Sequence, residues 1–372
     1  MSAIGHRRAL PMIGHCRAHP MIGHRRAHPM IGHCRALLIV AVVAASSLFG
    51  QVAVASADEW RTLPTDKPAS ADGSVLDRIE EIDGRQLNMY VYSAAMEKVI
   101  LLEVIRPADA SVPRPTLYLL NGAGGGQDSA TWKAKTDVVS FFADKNVNVV
   151  TPVGGAFSYY TDWQKPDPAL GLNKWTTFLT EELPPIVDAT LGTTGENAIA
   201  GLSMSGTSVL SLAQHAPSLY RAVGSYSGCA ETSIQPGRDY VTFVVSARGG
   251  DVENMWGPPG DPDWVANDPV VNAEKLRGID LYISNGTGLP GHHDTLNGPD
   301  VNGDVGVLAN QVIVGGIIEA GTNQCTYRLA DRLNSLGIPA TFDFHPTGTH
   351  SWGYWQDDLH NSWPMIASSL GI

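Results

Sequence analysis

Positive charge is scarce in this chain. Its 372 residues carry 25 Lys and Arg against 37 Asp and Glu. Six of those cations are arginines that precede the first acidic residue, Asp58. Beyond residue 57, 315 residues hold 19 basic and 37 acidic side chains, a net charge of −18. A surface of that sign repels phosphate backbones and anionic headgroups, which excludes nucleic acid and acidic membrane as partners. Long apolar runs are also missing. LLIVAVVAASSLF, from Leu37 to Phe49, falls short of the ~20 residues that cross a bilayer, so no stable membrane span is expected. Cysteine is rare as well, at four residues: Cys16, Cys34, Cys229 and Cys325.

What is present begins with a repeat. IGH recurs at Ile4, Ile13, Ile22 and Ile31, within copies of MIGH(R/C)RAHP. Six histidines in it (His6, His15, His19, His24, His28 and His33) have no packing residues around them to fix a metal, so no metal is assigned there. Met30 could start translation by itself. From it, MIGHCRA reads as a basic n-region, LLIVAVVAASSLF as an apolar h-region and AVASA as a cleavage site near Ala57. Residues 1–57 are therefore read as a repeat-containing leader and signal peptide. Residues 58–372 are read as a single catalytic domain, exported to an oxidising compartment. There Cys229 and Cys325 make an even pair and are expected to form a disulfide. A loop that long contributes about 4–5 kcal/mol in the chain-entropy description.

Along the domain, apolar runs alternate with helical patterns. RQLNMYVYSA and KVILLEVIRP read as two edge strands, after an irregular arm from Asp58 to Gly73. PRPTLYLLNG, VNVVTPVGG, AIAGLS, YRAVGSYSG, GIDLYISNG and PATFDFHPTG read as further strands. TDVVSFFADKN reads as an amphipathic helix, and LANQVIVGGIIEAGTNQCTYRLADRLNSLG as mostly helical. WTTFLTEELPPIVDATL starts as a helix that its prolines break or kink. The alternation predicts an α/β fold, a largely parallel central sheet with helices on both faces.

The chemistry concentrates at GLSMSGTS, residues 201–208. A strand pattern precedes it and a helical pattern follows, which is the context of a nucleophile elbow, G-x-S-x-G, with Ser205 in place of the second glycine. Ser203 is then the nucleophile. A hydroxyl needs a base, and imidazole suits that task near neutral pH. Of six domain histidines, His350 sits in a Gly- and Thr-rich loop after the last strand, whereas His345 is read inside the strand and His360 inside the next helix. For the acid, Glu319, Asp294, Asp304 and Asp280 all stand at workable positions. Oxyanion donors are expected from the backbone N–H groups of Met204 and of Ala123 in NGAGGG. That glycine run fails as a dinucleotide loop because Gln127 takes the third glycine position. DVNGDVG, from Asp300 to Gly306, fails as a calcium loop because Gln311 stands where the bidentate Glu belongs, and reads as an acidic turn.

Several separated segments then point the same way: YLLNG, NVVTPVGG followed by YYTDW, KWTTFLTEELP, GLSMSG, NMWGPPGDPDWVANDP and TGTHSWGYWQDDL. Together they make the chain resemble the secreted mycolyltransferases of mycolic-acid bacteria, from LYLLNG to the C-terminus. The resemblance implies an α/β-hydrolase fold, no cofactor, and transfer of a mycoloyl group between trehalose-linked donors and acceptors through an acyl-serine. It implies Ser203 as nucleophile, His350 as base and Glu319 as acid, with Asp294 in reserve. It implies Ala123 and Met204 as the oxyanion donors and Trp352 as a sugar contact. At Asn121 the family's trehalose binders have aspartate, and at Gly124 they have arginine. Both changes remove charge-assisted hydrogen bonds to sugar hydroxyls. The expected partner is thus a lipid or glycolipid ester, trehalose-type or not, and the acceptor is trehalose, arabinogalactan, another alcohol or water. A plain carboxylesterase and a non-catalytic adhesion module are the competing readings.

Overall fold

The computed structural model describes residues 67–372. The repeat, the expected signal peptide and cleavage site, and the arm as far as residue 66 lie outside the described residues. Nine strands form one sheet in the order β1-β2-β3-β5-β4-β6-β7-β8-β9. They are β1 (Val75–Glu81), β2 (Gln86–Ser93), β3 (Lys98–Ile105), β4 (Arg114–Leu120), β5 (Asn148–Val153), β6 (Thr193–Leu202), β7 (Tyr220–Tyr226), β8 (Asp280–Asn285) and β9 (Thr341–Phe344). From β5 to β9 all neighbours are parallel, and β1, β2 and β3 add an antiparallel edge.

Burial follows from that topology. In β4 every residue after Arg114 is buried, as a parallel strand with both faces covered requires. Tyr118 and Leu120 enter one core cluster, with Trp175, Leu179 and Val209, while Leu117 and Leu119 enter another, with Trp132, Phe142 and Leu359. β2 instead alternates buried and half-buried positions, the pattern of an edge with one wetter face. β1 was not expected. Its sequence, VLDRIEE, is too charged to read as a strand, and only pairing with β2 makes it one.

Three further differences are local. The proline-containing helix is not broken: residues 175–191 run through a π-helical turn, Phe178–Glu182, directly into Leu183–Leu191. At that wider spacing the N–H missing from Pro184 would have served Leu179 O, and the Tyr220 hydroxyl donates to Leu179 O instead, at 3.0 Å. TDVVSFFADKN gives only the single turn Val138–Phe141. The helix Gly237–Ser246 was not anticipated.

The helical run Val305–Leu336 is long and apolar enough, by length and composition, to cross a membrane. Its second half instead packs Leu329 and Leu333 into the core. Cys229 and Cys325 are bridged, with Sγ atoms 2.02 Å apart, and tie that helix to the segment after β7.

Candidate active site

The parallel strands all end at one edge of the sheet, where adjoining loops can converge. Asn121 follows β4, Ser203 follows β6, Ser227 follows β7, Gly286 follows β8, and the loop to His350 follows β9. Ser203 has φ +56° and ψ −123°, a strained conformation for a non-glycine residue. Its N–H donates to Tyr226 O at 2.8 Å, and the helix Met204–His215 starts at the next residue. This is the strand–turn–helix elbow that GLSMSG predicts.

Ser205 fits the second glycine position because its hydroxyl folds back into the elbow. Its Oγ accepts from Leu202 N–H at 2.9 Å and lies 3.0 Å from Leu202 O and 3.2 Å from Leu120 O. The close approach that demands glycine falls one residue later. A Cβ on Gly206 would lie 2.7 Å from Tyr226 O, and one on Gly228 would lie 2.5 Å from the Gly206 carbonyl carbon.

His350 Nε2 lies 2.7 Å from Ser203 Oγ, and its Nδ1 lies 2.7 Å from Glu319 Oε2. The glutamate side chain is 2% exposed and the imidazole 9%. The other carboxylate oxygen, Oε1, accepts three hydrogen bonds: from Ser227 Oγ at 2.8 Å, Asn285 Nδ2 at 3.0 Å and Gly286 N–H at 2.7 Å. Ser227 in turn accepts from Trp355 Nε1 at 2.9 Å, and the Trp355 ring stands edge-on to His350 at 4.9 Å. These donors replace the water that a buried carboxylate would otherwise need. The arrangement can remove a proton from Ser203 and stabilise the imidazolium that results.

Three of the four acids weighed from sequence stand elsewhere. Asp294 accepts from Thr349 Oγ1 at 2.5 Å, Tyr354 OH at 2.7 Å, Gln311 Nε2 at 2.7 Å and Gly291 N–H at 2.8 Å. Burial pushes its carboxyl up, but these donors together hold it below the usual carboxylate value. It therefore fixes the residue before His350 and does not touch the imidazole. Asp304 caps the helix Val305–Asn310, and Asp280 binds Ser369 at the far end of β8.

Two turns meet beside Ser203 where the oxyanion donors were expected. A Cβ placed on Gly122 would lie 3.7 Å from Ser203 Cβ and 2.8 Å from Leu202 Cδ1, so the turn after β4 abuts the nucleophile. The next residue, Ala123, accepts from Phe157 N–H through its carbonyl at 2.7 Å, and its own N–H has no acceptor among the described residues. Met204 N–H is the first amide of its helix, where no intrahelical acceptor exists and the helix dipole favours negative charge. The loop after β5 braces both: Tyr159 N–H contacts Met204 Sδ at 3.4 Å, and Phe157, Tyr159 and Tyr160 take φ values of +58°, +55° and +46°.

With this geometry, similarity to known proteins is specific. A family profile named Esterase matches residues 93–365. The chain belongs to that family. It shares 33% identity over 268 residues with the diacylglycerol acyltransferase/mycolyltransferase Ag85A of Mycobacterium leprae (strain TN), covering 69% of this chain and 76% of the relative. With Ag85B of the same organism it shares 32% over 295 residues, covering 76% and 83%. The crystal structure of Mycobacterium tuberculosis MPT51 (FbpC1) superposes with a TM-score of 0.62 at 24% identity, over 77% of this chain and 100% of that one, which establishes the common fold. The fold is of the α/β-hydrolase type.

Asn121 is fully buried, and its Oδ1 accepts from Trp132 N–H at 3.1 Å. Through that bond it holds the turn after β4. At Gly124, an added Cβ would meet Asp128 Oδ2 at 2.3 Å, so the Asp128 carboxylate fills the space that a side chain there would need. Trp352 is half-buried, edge-on to Trp132 at 5.6 Å and Trp355 at 5.3 Å. Ser227, Asn285 and Trp355 were missed in the sequence because no short motif marks them. Their only signal is position, two of them at the carboxyl ends of strands.

Proposed function

We propose that this protein is an exported serine acyltransferase that moves a long-chain acyl group from a lipid ester to a hydroxyl acceptor. Ser203 attacks the ester carbonyl as His350 takes its proton. The N–H groups of Ala123 and Met204 hold the tetrahedral oxyanion. Collapse breaks the bond to the donor alcohol, which leaves with the proton from His350, and the acyl group stays on Ser203. An acceptor hydroxyl then gives its proton to His350, attacks the acyl-serine and restores the free enzyme. Glu319 keeps the imidazole oriented and stabilises its charge without taking the proton. The single observation that carries this reading is the unbroken line from Glu319 through His350 to Ser203, at 2.7 Å on each side.

The names of the relatives support a mycoloyl-type acyl group. The acceptor on this reading is a trehalose-type glycolipid or a cell-wall glycan. No cofactor enters these steps. Cleavage near Ala57 would release the protein to the cell envelope, where the Cys229–Cys325 bridge suits an oxidising compartment. A second reading, a secreted carboxylesterase, is favoured by Asn121 and Gly124. With neither the aspartate nor the arginine to hold trehalose, water competes better for the acyl-enzyme.

Intact-protein mass spectrometry tests the proposal. A fluorophosphonate should add once, at Ser203, and Ser203→Ala should lower ester turnover by about 10⁴-fold or more. A folded wild type that takes no label would favour the adhesion module instead, and full turnover in Ser203→Ala would remove the assigned nucleophile. The ratio of transfer to hydrolysis with a trehalose monoester separates the two enzymatic readings.

A further inference from the structure

Beside the base loop, two consecutive histidines turn the same nitrogen toward one carboxylate. His293 Nε2 lies 2.7 Å and His292 Nε2 3.2 Å from Asp357 Oδ2, the aspartate being on the C-terminal helix Trp352–Ser369. Consecutive side chains of an extended segment point to opposite sides. Here a tight turn prevents that: Asp294 N–H donates to Gly291 O at 3.1 Å, and the two imidazoles lie side by side, tilted by 43°, with centroids 3.9 Å apart. Tyr354 stands edge-on to both rings, at 5.3 and 4.9 Å. Gly353 makes the approach possible, since a Cβ there would fall 2.6 Å from His293 Cγ.

The three ligand atoms lie within 4.8 Å of one another. Two imidazole nitrogens and one carboxylate oxygen are donors that zinc and its neighbours accept, with water completing the shell. His292 is 67% exposed and opens the cluster to solvent, and the domain's excess of negative charge attracts cations to it.

We propose that His292, His293 and Asp357 form a site for a divalent transition-metal ion of the zinc class. Both imidazoles bind through Nε2 as neutral rings with their protons on Nδ1, and Asp357 binds as the carboxylate. The ion is structural: it fastens the 291–294 turn to the C-terminal helix. Asp294, next in the chain, holds Thr349 beside His350, so the fastened turn is the one that fixes the base loop.

Thermal unfolding of the full chain, stripped with a chelator and then given Zn²⁺, tests the site. The repeat histidines of the leader can bind the ion without stabilising the folded domain, so the midpoint is the proper readout rather than stoichiometry. Micromolar Zn²⁺ should raise the midpoint by several degrees, because an ion that binds only the folded state stabilises it by mass action. His292→Ala, at an exposed position, and the nearly isosteric Asp357→Asn should each remove that rise while leaving the metal-free midpoint close to wild type. A wild-type midpoint unmoved by millimolar Zn²⁺, or a rise that persists in both variants, would overturn the assignment.

Discussion

His345 and His350 stand five positions apart, and each imidazole meets a buried carboxylate carried by a helix, yet the two are built for opposite ends. His345 Nε2 lies between two acids, 3.2 Å from Asp358 Oδ1 and 3.4 Å from Asp343 Oδ2. The close contact with Asp358, together with the charge of both aspartates, raises its pKa to about 9 against the desolvation that opposes it. Burial pushes Asp358 up to about 6, although His345 pulls it back. Between those values both groups are charged, and an imidazolium has no lone pair with which to accept a proton. His350 faces one carboxylate only. Its second nitrogen is turned to Ser203, and the spare oxygen of Glu319 is occupied by neutral donors rather than by another acid. A base is made by limiting the charge around the ring as much as by supplying it.

Exchanging each histidine for glutamine gives the largest contrast. His350→Gln should lower turnover by about 10⁴-fold or more with little change in stability. His345→Gln should leave turnover within a few-fold but cost roughly 3 kcal/mol, because Asp358 is left buried without its partner. Parallel kinetics and denaturant melts check both, and equal loss of turnover in the two variants would break the distinction.

Next in size is the acid itself. Glu319→Gln keeps the shape and an oxygen for Ser227, Asn285 and Gly286, but turns an NH2 donor toward His350 Nδ1 in place of the acceptor, which favours the wrong tautomer, and turnover should fall by about 10³–10⁴-fold. Asp294→Asn, which alters only the support of Thr349, should fall far less in the same assay.

The alkaline limb of stability sharpens the comparison further. His345 keeps in the folded state a proton that the unfolded chain releases near its ordinary pKa of 6.5. Its contribution is therefore complete below that pH and is lost as pH rises through about 9. Melts between about pH 7 and about pH 10 should show roughly 1–3 kcal/mol of loss, and His345→Gln should flatten that slope. The smallest effect is expected from Ser227→Ala, which removes one of the three donors to Glu319 Oε1. Turnover should fall about tenfold with KM unchanged, as for a positioning residue.

The elbow, the central strands and the base loop were legible because each rests on local pattern. AIAGLSMSG needs only a buried strand, a turn and small residues, and those requirements are written in consecutive positions. The acid was not legible in that way. Glu319 lies in the middle of a helix, 116 residues after Ser203 and 31 before His350, and spacing left four carboxylates in contention until the resemblance pointed to it. The bond from Trp132 N–H to Asn121 Oδ1 was not legible either, because it joins a strand end to a turn eleven residues on.

By itself, then, the sequence determined a covered parallel sheet, a strained serine at the end of one strand and a histidine in the loop after the last. Apolar periodicity and turn chemistry act over a few residues at a time, and each of these features is built within such a span. Tertiary structure alone decided which acid meets that histidine, why the other histidine five residues earlier does not compete, and that His292, His293 and Asp357 share one point in space. Those outcomes depend on the crossing of strand ends and helices far apart in the chain, and packing, not adjacency, sets where their side chains meet.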